Sequence, residues 1–392
     1  MLSVCLYLHL HQPWRYRKYS IFDVAKDSNY WYEKDYYGKQ NNERIFKKVA
    51  EKSYHPMLDL LEKNLKRHPE FKVSLSITGT WLEQAEEWDP SLTIQLARMV
   101  STGRVEIVGE TYYHSLAFFY DKHEFQEQVR KHSDTVARLF GVRPRVFRNT
   151  ELAYNDEVGK WAKQIGYSAV LTEGWDDVLG KKSPNYVYVS PSGLKMLLKN
   201  YQLSDDIAFR FADTTSKDYP LTADKFYKKL KKEKGDVINL FMDFETFGEN
   251  VWKNTGIFEF IDELIYKIVE KGNFMTVSEE AYFCKPAGEL SMPETVTWAD
   301  SERDLSAWLG NDLQIEAEKT LYDLLPLAKK QGGDVYDDWR RLSTSDHVYY
   351  MSTKYWSDGD VHAYFSPFDS PYDAFMYYMN VLRDLEYRLT KK

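Results

Sequence analysis

Cysteine is almost missing from this chain: Cys5 and Cys284 are the two in 392 residues. That excludes a disulfide framework and any CxxC metal knuckle. Long apolar runs are missing too, since none approaches the ~20 residues that span a bilayer. The apolar start, Met1-Leu2-Ser3-Val4-Cys5-Leu6, lacks the basic segment and small-residue cleavage site of a secretory signal and reads as a first strand. A cytoplasmic protein with no membrane partner is expected. Positive charge is in deficit, with 52 Lys and Arg against 60 Asp and Glu and a net charge of −8. A nucleic-acid partner is therefore not expected, because backbone binding rests on cationic surface. The run Lys228-Lys229-Leu230-Lys231-Lys232 reads as a solvated helix face. No GxGxxG, Walker A or GxSxG motif occurs, and no HExxH or Hx₃H pair. No cofactor is expected, and the sequence leaves the oligomeric state open.

Aromatic residues are abundant, with 30 Tyr, 21 Phe and 11 Trp making 16% of the chain. Most suit a core, but Tyr and Trp with a polar handle also suit a cleft that binds the amphipathic face of a sugar ring. The loop 15–42 carries Tyr30, Trp31, Tyr32, Tyr36 and Tyr37 and is too long for a connector, so a packed lid is expected there.

Strand-like and helical stretches alternate through the first 285 residues. Strands are expected at 3–9, 71–77, 104–108, 145–147, 169–171 and 237–242, with further pieces at 186–189, 195–198 and 207–211. Helices are expected at 92–100, 123–140, 155–165, 223–232 and 257–269, several closed by glycine, and a helical stretch from 45 to 65 is interrupted at Pro56. Such alternation implies a parallel sheet, and about seven units favour a nearly closed barrel, with a doubly wound sheet as the alternative. After Cys284 the strands stop. Pro286, Gly288 and Pro293 mark a linker, and 313–328 and 371–389 read as amphipathic helices, the second capped by Ser370-Pro371. The expected division is a barrel over 1–285 with the aromatic insertion, then an α-helical region over 286–392.

The apolar run 237–242 ends abruptly in Asp243, Glu245 and Glu249, and the strand 145–147 runs into Arg148-Asn149-Thr150-Glu151. In a barrel, carboxylates past two strand ends converge on one face. A pair such as Glu151 and Asp243 suits glycoside hydrolysis, which needs one acid to protonate the leaving oxygen and one to attack or to activate water. Solvated caps are the plainer reading. His9, His11 and His114, also at strand ends, could instead hold a Zn²⁺ as in a metal-dependent hydrolase of the polysaccharide deacetylase type.

Five blocks in order resemble glycoside hydrolase family 57, a family of retaining α-glucan-active enzymes. They are His11-Gln12-Pro13, the segment 103–114 ending in Gly109-Glu110-Thr111-Tyr112-Tyr113-His114, Phe147-Arg148-Asn149-Thr150-Glu151-Leu152, Asp243-Phe244-Glu245-Thr246-Phe247-Gly248-Glu249, and Trp308-Leu309-Gly310-Asn311-Asp312-Leu313-Gln314. The resemblance implies an incomplete (β/α)7 TIM-like barrel followed by a C-terminal helical bundle. It implies an α-amylase-type enzyme cleaving α-1,4-glucosidic bonds of an α-glucan or malto-oligosaccharide, or a 4-α-glucanotransferase using the same residues. Glu151 would be the nucleophile and Asp243 the acid/base, with carboxyls roughly 5–5.5 Å apart. His11 and His114 would lie beside the sugar, Arg148 and Asn149 would orient the nucleophile, and Trp308, Asn311 and Gln314 would close the cleft. Trp81 and Asp205 would line it. Glu245 and Glu249 read as supporting acids.

Overall fold

The computed structural model describes residues 2–31, 41–354 and 366–391. The aromatics Tyr32, Tyr36 and Tyr37 lie outside the described residues. The first strand, β1 (Leu2–Leu10), is central because both its faces are apolar. Val4, Leu6, Leu8 and Leu10 pack against the surrounding helices. Cys5 and Tyr7 point the other way, into a second cluster with Val108, Val146, Leu171, Leu197 and Phe241. Such two-sided burial is typical of parallel strands covered by helices.

The strands β2 (Val73–Ile77), β3 (Val105–Val108), β4 (Val146–Arg148), β5 (Ala169–Glu173), β6 (Tyr188–Val189), β7 (Lys195–Lys199), β8 (Ile238–Asp243) and β9 (Gly272–Phe274) complete the sheets. One path runs β3-β2-β1-β8, with β9 also pairing β1, and a second runs β4-β5-β7-β6. All pairings are parallel except β6 with β7. A parallel bridge between Gly109 and Phe147 joins the two paths, and Asn200 N–H donates to the Asn239 carbonyl at 2.9 Å where β7 meets β8. The architecture is a mixed α/β fold of parallel strands and many helices.

The segment 207–211 is not a strand. Asn200 accepts from Leu203 N–H and caps a helix, Tyr201–Ala208, that absorbs Ile207. The helical stretch near residue 56 does not break there either. It widens into a π-turn, Ala50–Tyr54, directly before the helix His55–Arg67 that carries Pro56. A proline ring displaces the carbonyl four residues back, here Lys52. That carbonyl lies where a Cβ on Gly248 (φ +106°) would come within 2.0 Å, so Gly248 has no room for a side chain.

Beyond residue 286 the expected helix 313–328 is two, Asp312–Asp323 and Leu325–Gln331, separated at Leu324, with Pro326 in the first turn of the second. Gly333–Leu342, Ser345–Tyr349 and Pro371–Thr390 follow. The described part of the aromatic loop belongs with these helices rather than lying over the strands. Trp14, Tyr16, Tyr19, Tyr30 and Trp31 share one apolar cluster with Trp339, Tyr378 and Leu382. Tyr16 donates to the Ala374 carbonyl and Tyr30 to Asp384. Among the described residues, no helix is long and apolar enough to cross a membrane.

Candidate active site

The parallel strands β1, β3, β4 and β8 end on the same side, and polar side chains collect there. β4 leads into the turn Thr150–Leu152, where Glu151 and Leu152 take left-handed φ values of 58° and 52°. His114, in the loop after β3, is left-handed as well, at 54°. Such backbone costs about 1–3 kcal/mol per residue and persists only where its surroundings hold it, which happens mainly at functional sites. The result here is contact: His114 Nε2 lies 2.8 Å from Glu151 Oε1. Trp298 donates its indole N–H to Glu151 Oε2 at 2.8 Å, and Ser345 Oγ lies 3.3 Å from Oε1.

These partners set the charges. Burial by itself would raise the Glu151 pKa, but His114 and Arg148 outweigh it and bring it down to about 2. Burial by itself would keep His114 neutral, yet Glu151 and Glu110 hold its proton up to about 9. Glu110 is fully buried and still held well below the carboxylate range by His9, His114 and Arg148. Arg148, at the end of β4, has no exposed surface and spans the group: it lies 3.4 Å from Glu110 and His114 and 3.5 Å from His9.

Asp243 enters from β8. The β1–β8 register sets His9 beside Asp243, and His9 Nδ1 reaches Asp243 Oδ1 at 3.4 Å. The Asp243 side chain is 49% exposed, while Glu151 is 16% exposed. Behind Asp243, burial and the Asp243 charge push Glu245 up to about 8, and Tyr54 of the π-turn donates to it at 2.6 Å. Glu249 lies apart from these groups, paired with Lys48 and Lys52.

His11 joins from the end of β1. Its ring stacks on His114 at 4.0 Å between centroids, and its nitrogens meet Thr78 at 3.0 Å and Asp346 at 2.8 Å. Burial and the neighbouring His114 charge bring His11 down to about 4, so at neutral pH it is an uncharged donor to the Asp346 carboxylate.

Glu151, Asp243, His11, His114 and Arg148 are thus brought together. Asn149 is adjacent but buried, its amide N–H spent on the Ala153 carbonyl, so it shapes the turn. Three expectations need correction. Trp81 is fully buried and packs on Phe46 and Tyr54, because Thr78 caps a helix, Gly79–Trp88, that turns the indole into the core. Gln314 is fully buried and receives Gly310 N–H while donating to the Ala307 and Val348 carbonyls. Trp308 is buried beside Tyr349, and Asn311 caps the Gln314 helix while holding the Met351 carbonyl. The fifth block therefore braces the short helix Ser345–Tyr349 and does not line the cleft with Trp308 or Gln314. Asp205 faces Lys199 and Arg303 in a charged group next to Trp298.

Four contributors carried no assigned role in the sequence. Glu110 sits inside the second block, one residue past Gly109, where a strand-end acid was visible. Trp298, Ser345 and Asp346 come from the helical region, and nothing in their local sequence marks them.

Among the described residues, two sets of side chains could hold a metal: His9, Glu110 and His114, and His11, His114 and Asp346, with donor atoms within 4.8 Å. The geometry argues against both. The rings are stacked at 26° and 28°, so their lone pairs run side by side rather than onto one point, unlike the convergent ligands of a zinc site. A dication in the first set would also stand against Arg148.

The family model for glycosyl hydrolase family 57 matches residues 5–293. A Methanocaldococcus jannaschii protein, provisionally named an alpha-amylase, is 43% identical over 96% of this chain and 83% of its own. A 4-alpha-glucanotransferase from Thermococcus litoralis is 25% identical over 67% of this chain and 40% of its own, so the chain spans well under half of that longer relative. Among solved structures, the alpha-amylase AmyC from Thermotoga maritima shares the fold at a TM-score of 0.67 and 12% identity, over 99% of this chain and 93% of its own. A family 57 branching enzyme from Thermococcus kodakaraensis does so at 0.70 and 13%, over 90% and 86%. With 289 of its 392 residues under the family model, this chain belongs to glycosyl hydrolase family 57 and is a glycoside hydrolase.

Proposed function

We propose that the protein is a retaining α-glucan hydrolase of the α-amylase type, cleaving α-1,4-glucosidic bonds by double displacement. The catalytic unit in this reading is an incomplete (β/α)7 barrel over 1–285, completed by the helical region 286–392. One observation carries the reading: the mostly buried Glu151 is held ionised by His114 and Trp298, while the half-exposed Asp243 carboxylate joins the same cluster through His9.

In the first step a Glu151 carboxylate oxygen bonds to the anomeric carbon, the bond to the leaving glucan oxygen breaks, and the Asp243 proton passes to that oxygen. In the second step water gives a proton to Asp243 and its oxygen replaces Glu151 at the anomeric carbon. A nucleophile must be ionised when substrate arrives, and the low Glu151 pKa meets that need. Where a sugar hydroxyl replaces water, the same residues perform 4-α-glucan transfer. The names of the relatives from Methanocaldococcus jannaschii and Thermococcus litoralis favour these two outcomes.

Incubation with maltoheptaose, with products resolved by length and initial anomeric configuration read by NMR, tests the proposal. α-Configured shorter products are expected, and products longer than the substrate identify transfer. Glu151→Gln and Asp243→Asn should each lower turnover by at least about 10²-fold with the fold intact. Wild-type turnover in either variant, or an initial β-anomer, refutes the assignment.

A further inference from the structure

The helical region reaches the Glu151 carboxylate through Ser345 on one oxygen and, on the other, through a short stretch, 296–304. Its first contact is a bridge in which Val296 and Tyr154 exchange both backbone hydrogen bonds at 2.9 Å. Trp298 then grips Glu151 twice, through its indole N–H to Oε2 at 2.8 Å and its backbone N–H to the Glu151 carbonyl at 3.2 Å. The second contact falls on one of the two consecutive left-handed residues of that turn.

The stretch closes on itself through Thr297, which bonds the carbonyls of Arg303 and Asp304 at 2.8 Å. Arg303, itself left-handed at φ 54°, donates to the Trp298 carbonyl at 3.1 Å and to Glu173 at 2.6 Å. Glu173 has no exposed surface and ends β5, so the arginine anchors the stretch to the strands. Lys199, at the end of β7, meets both Glu173 and Asp205 and lies over the Trp298 ring, as does Arg148. Glu173, Lys199, Asp205 and Arg303 pair with one another, and through Arg303 and Lys199 they bear on the indole that touches Glu151.

We infer that the stretch 296–304 is a strap that positions Glu151 for attack, with Trp298 as its contact and Arg303, latched to Glu173, as its positioning residue. The strap spends a buried ion pair and a strained backbone to hold one indole N–H on one carboxylate oxygen. This leaves the other oxygen to His114 and Ser345 and fixes the plane of the carboxylate. The inference rests on the reading of Glu151 as nucleophile.

Trp298→Phe keeps the ring and removes the donor. A loss in kcat of roughly 10- to 100-fold is expected, the effect of one hydrogen bond to a charged group, with KM within about threefold of wild type. The acid limb of the pH profile moves to higher pH, because Glu151 then keeps His114, Arg148 and Ser345 but loses one donor, with Asp346 still opposing its charge. Arg303→Gln alone takes from buried Glu173 the nearer of its two cations, so it is combined with Glu173→Gln, which leaves Lys199 paired with Asp205. That pair should reproduce both changes from a distance, and adding Trp298→Phe should cost less than it does in the wild type.

Wild-type kcat and an unmoved acid limb in a folded Glu173→Gln/Arg303→Gln protein overturn the inference, as does full additivity with Trp298→Phe. Glu151→Gln separates the two levels. If it turns over normally, the nucleophile reading falls and the strap with it. If it is dead while the strap variants match wild type, the strap inference falls alone.

Discussion

Replacing His114 by Gln removes the charge that keeps Glu151 ionised, and the size of the effect follows from the pair itself. Burial lowers the imidazole pKa, but the two carboxylates raise it from the ordinary 6.5 to about 9. At roughly 1.36 kcal/mol per pH unit, that is about 3 kcal/mol of folding stability. The fall of Glu151 from 4.5 to about 2 describes the same contact from its other end, so the two figures do not add. The sign is fixed by linkage. Folded His114 keeps a proton that the unfolded chain releases above about 6.5, so its contribution is complete below that pH and is lost as pH rises through 9. Glu151, with a depressed pKa, contributes above about 4.5 and loses its contribution as pH falls toward 2. Urea unfolding of wild type and His114→Gln at closely spaced pH values between about 2 and 10.5 measures both arms. The wild type should lose about 3 kcal/mol between roughly pH 6 and 10 in excess of the variant. Superimposable alkaline slopes in the two proteins would refute the ion pair as the source of this stability.

Asp346→Asn keeps the shape of the His11 partner and removes its charge; kcat/KM should fall roughly 10- to 100-fold, as for a hydrogen bond to a charged group. An unchanged kcat/KM would mean that the short helix Ser345–Tyr349 packs beside the site without serving it. Glu318 is buried in the helical region with one carboxyl oxygen lacking a partner, and burial raises its pKa to about 8. Because the folded value lies above the unfolded one, Glu318 costs stability progressively as pH rises from about 4.5 through 8. Glu318→Gln should therefore be more stable than wild type by a few kcal/mol at about pH 9 and close to it at about pH 4, with roughly 1.36 kcal/mol for each pH unit between those two values of the pKa as the ceiling. Equal thermal unfolding temperatures on the alkaline side would count against this.

What could be read from the sequence was what local pattern encodes. Apolar runs ending in acids placed β4 and β8, and parallel order alone brings Glu151 and Asp243 to one side. His11 directly after β1, His114 in the loop after β3 and Arg148 at the end of β4 came from the resemblance of the blocks that carry them. Long-range packing left no such trace. Asp346 reaches His11 across 335 positions and Trp298 reaches Glu151 across 147, and neither sits in a patterned stretch. Gln314 and Trp308 were visible as a block, but a block does not reveal which way a side chain turns. In the fold, Gln314 is used up by backbone groups of the helices beside it. The missed helix at 201–208 has a similar cause. Its apolar residues are few, and the Asn200 cap, rather than periodicity, decides its start.

The line of groups from Glu151 through His114, Glu110 and His9 to Asp243 alternates acid and imidazole, with steps of 2.8, 3.7, 3.2 and 3.4 Å. Its electrostatics change during the proposed reaction. When Glu151 becomes an ester it loses its charge, and His114 loses the strongest of the carboxylates that hold its proton, keeping Glu110. The His114 proton is therefore held less tightly in the glycosyl-enzyme than in the free enzyme. The alkaline limb of the second step should then lie below that of the first, by up to the gap that separates about 9 from 6.5. An α-maltosyl fluoride substrate, with its good leaving group, makes the second step rate-limiting, whereas an unactivated maltoside reports the first. Coincident alkaline limbs for the two substrates would show that His114 senses no loss of charge at Glu151. Glu151 would then not be the residue that carries the sugar.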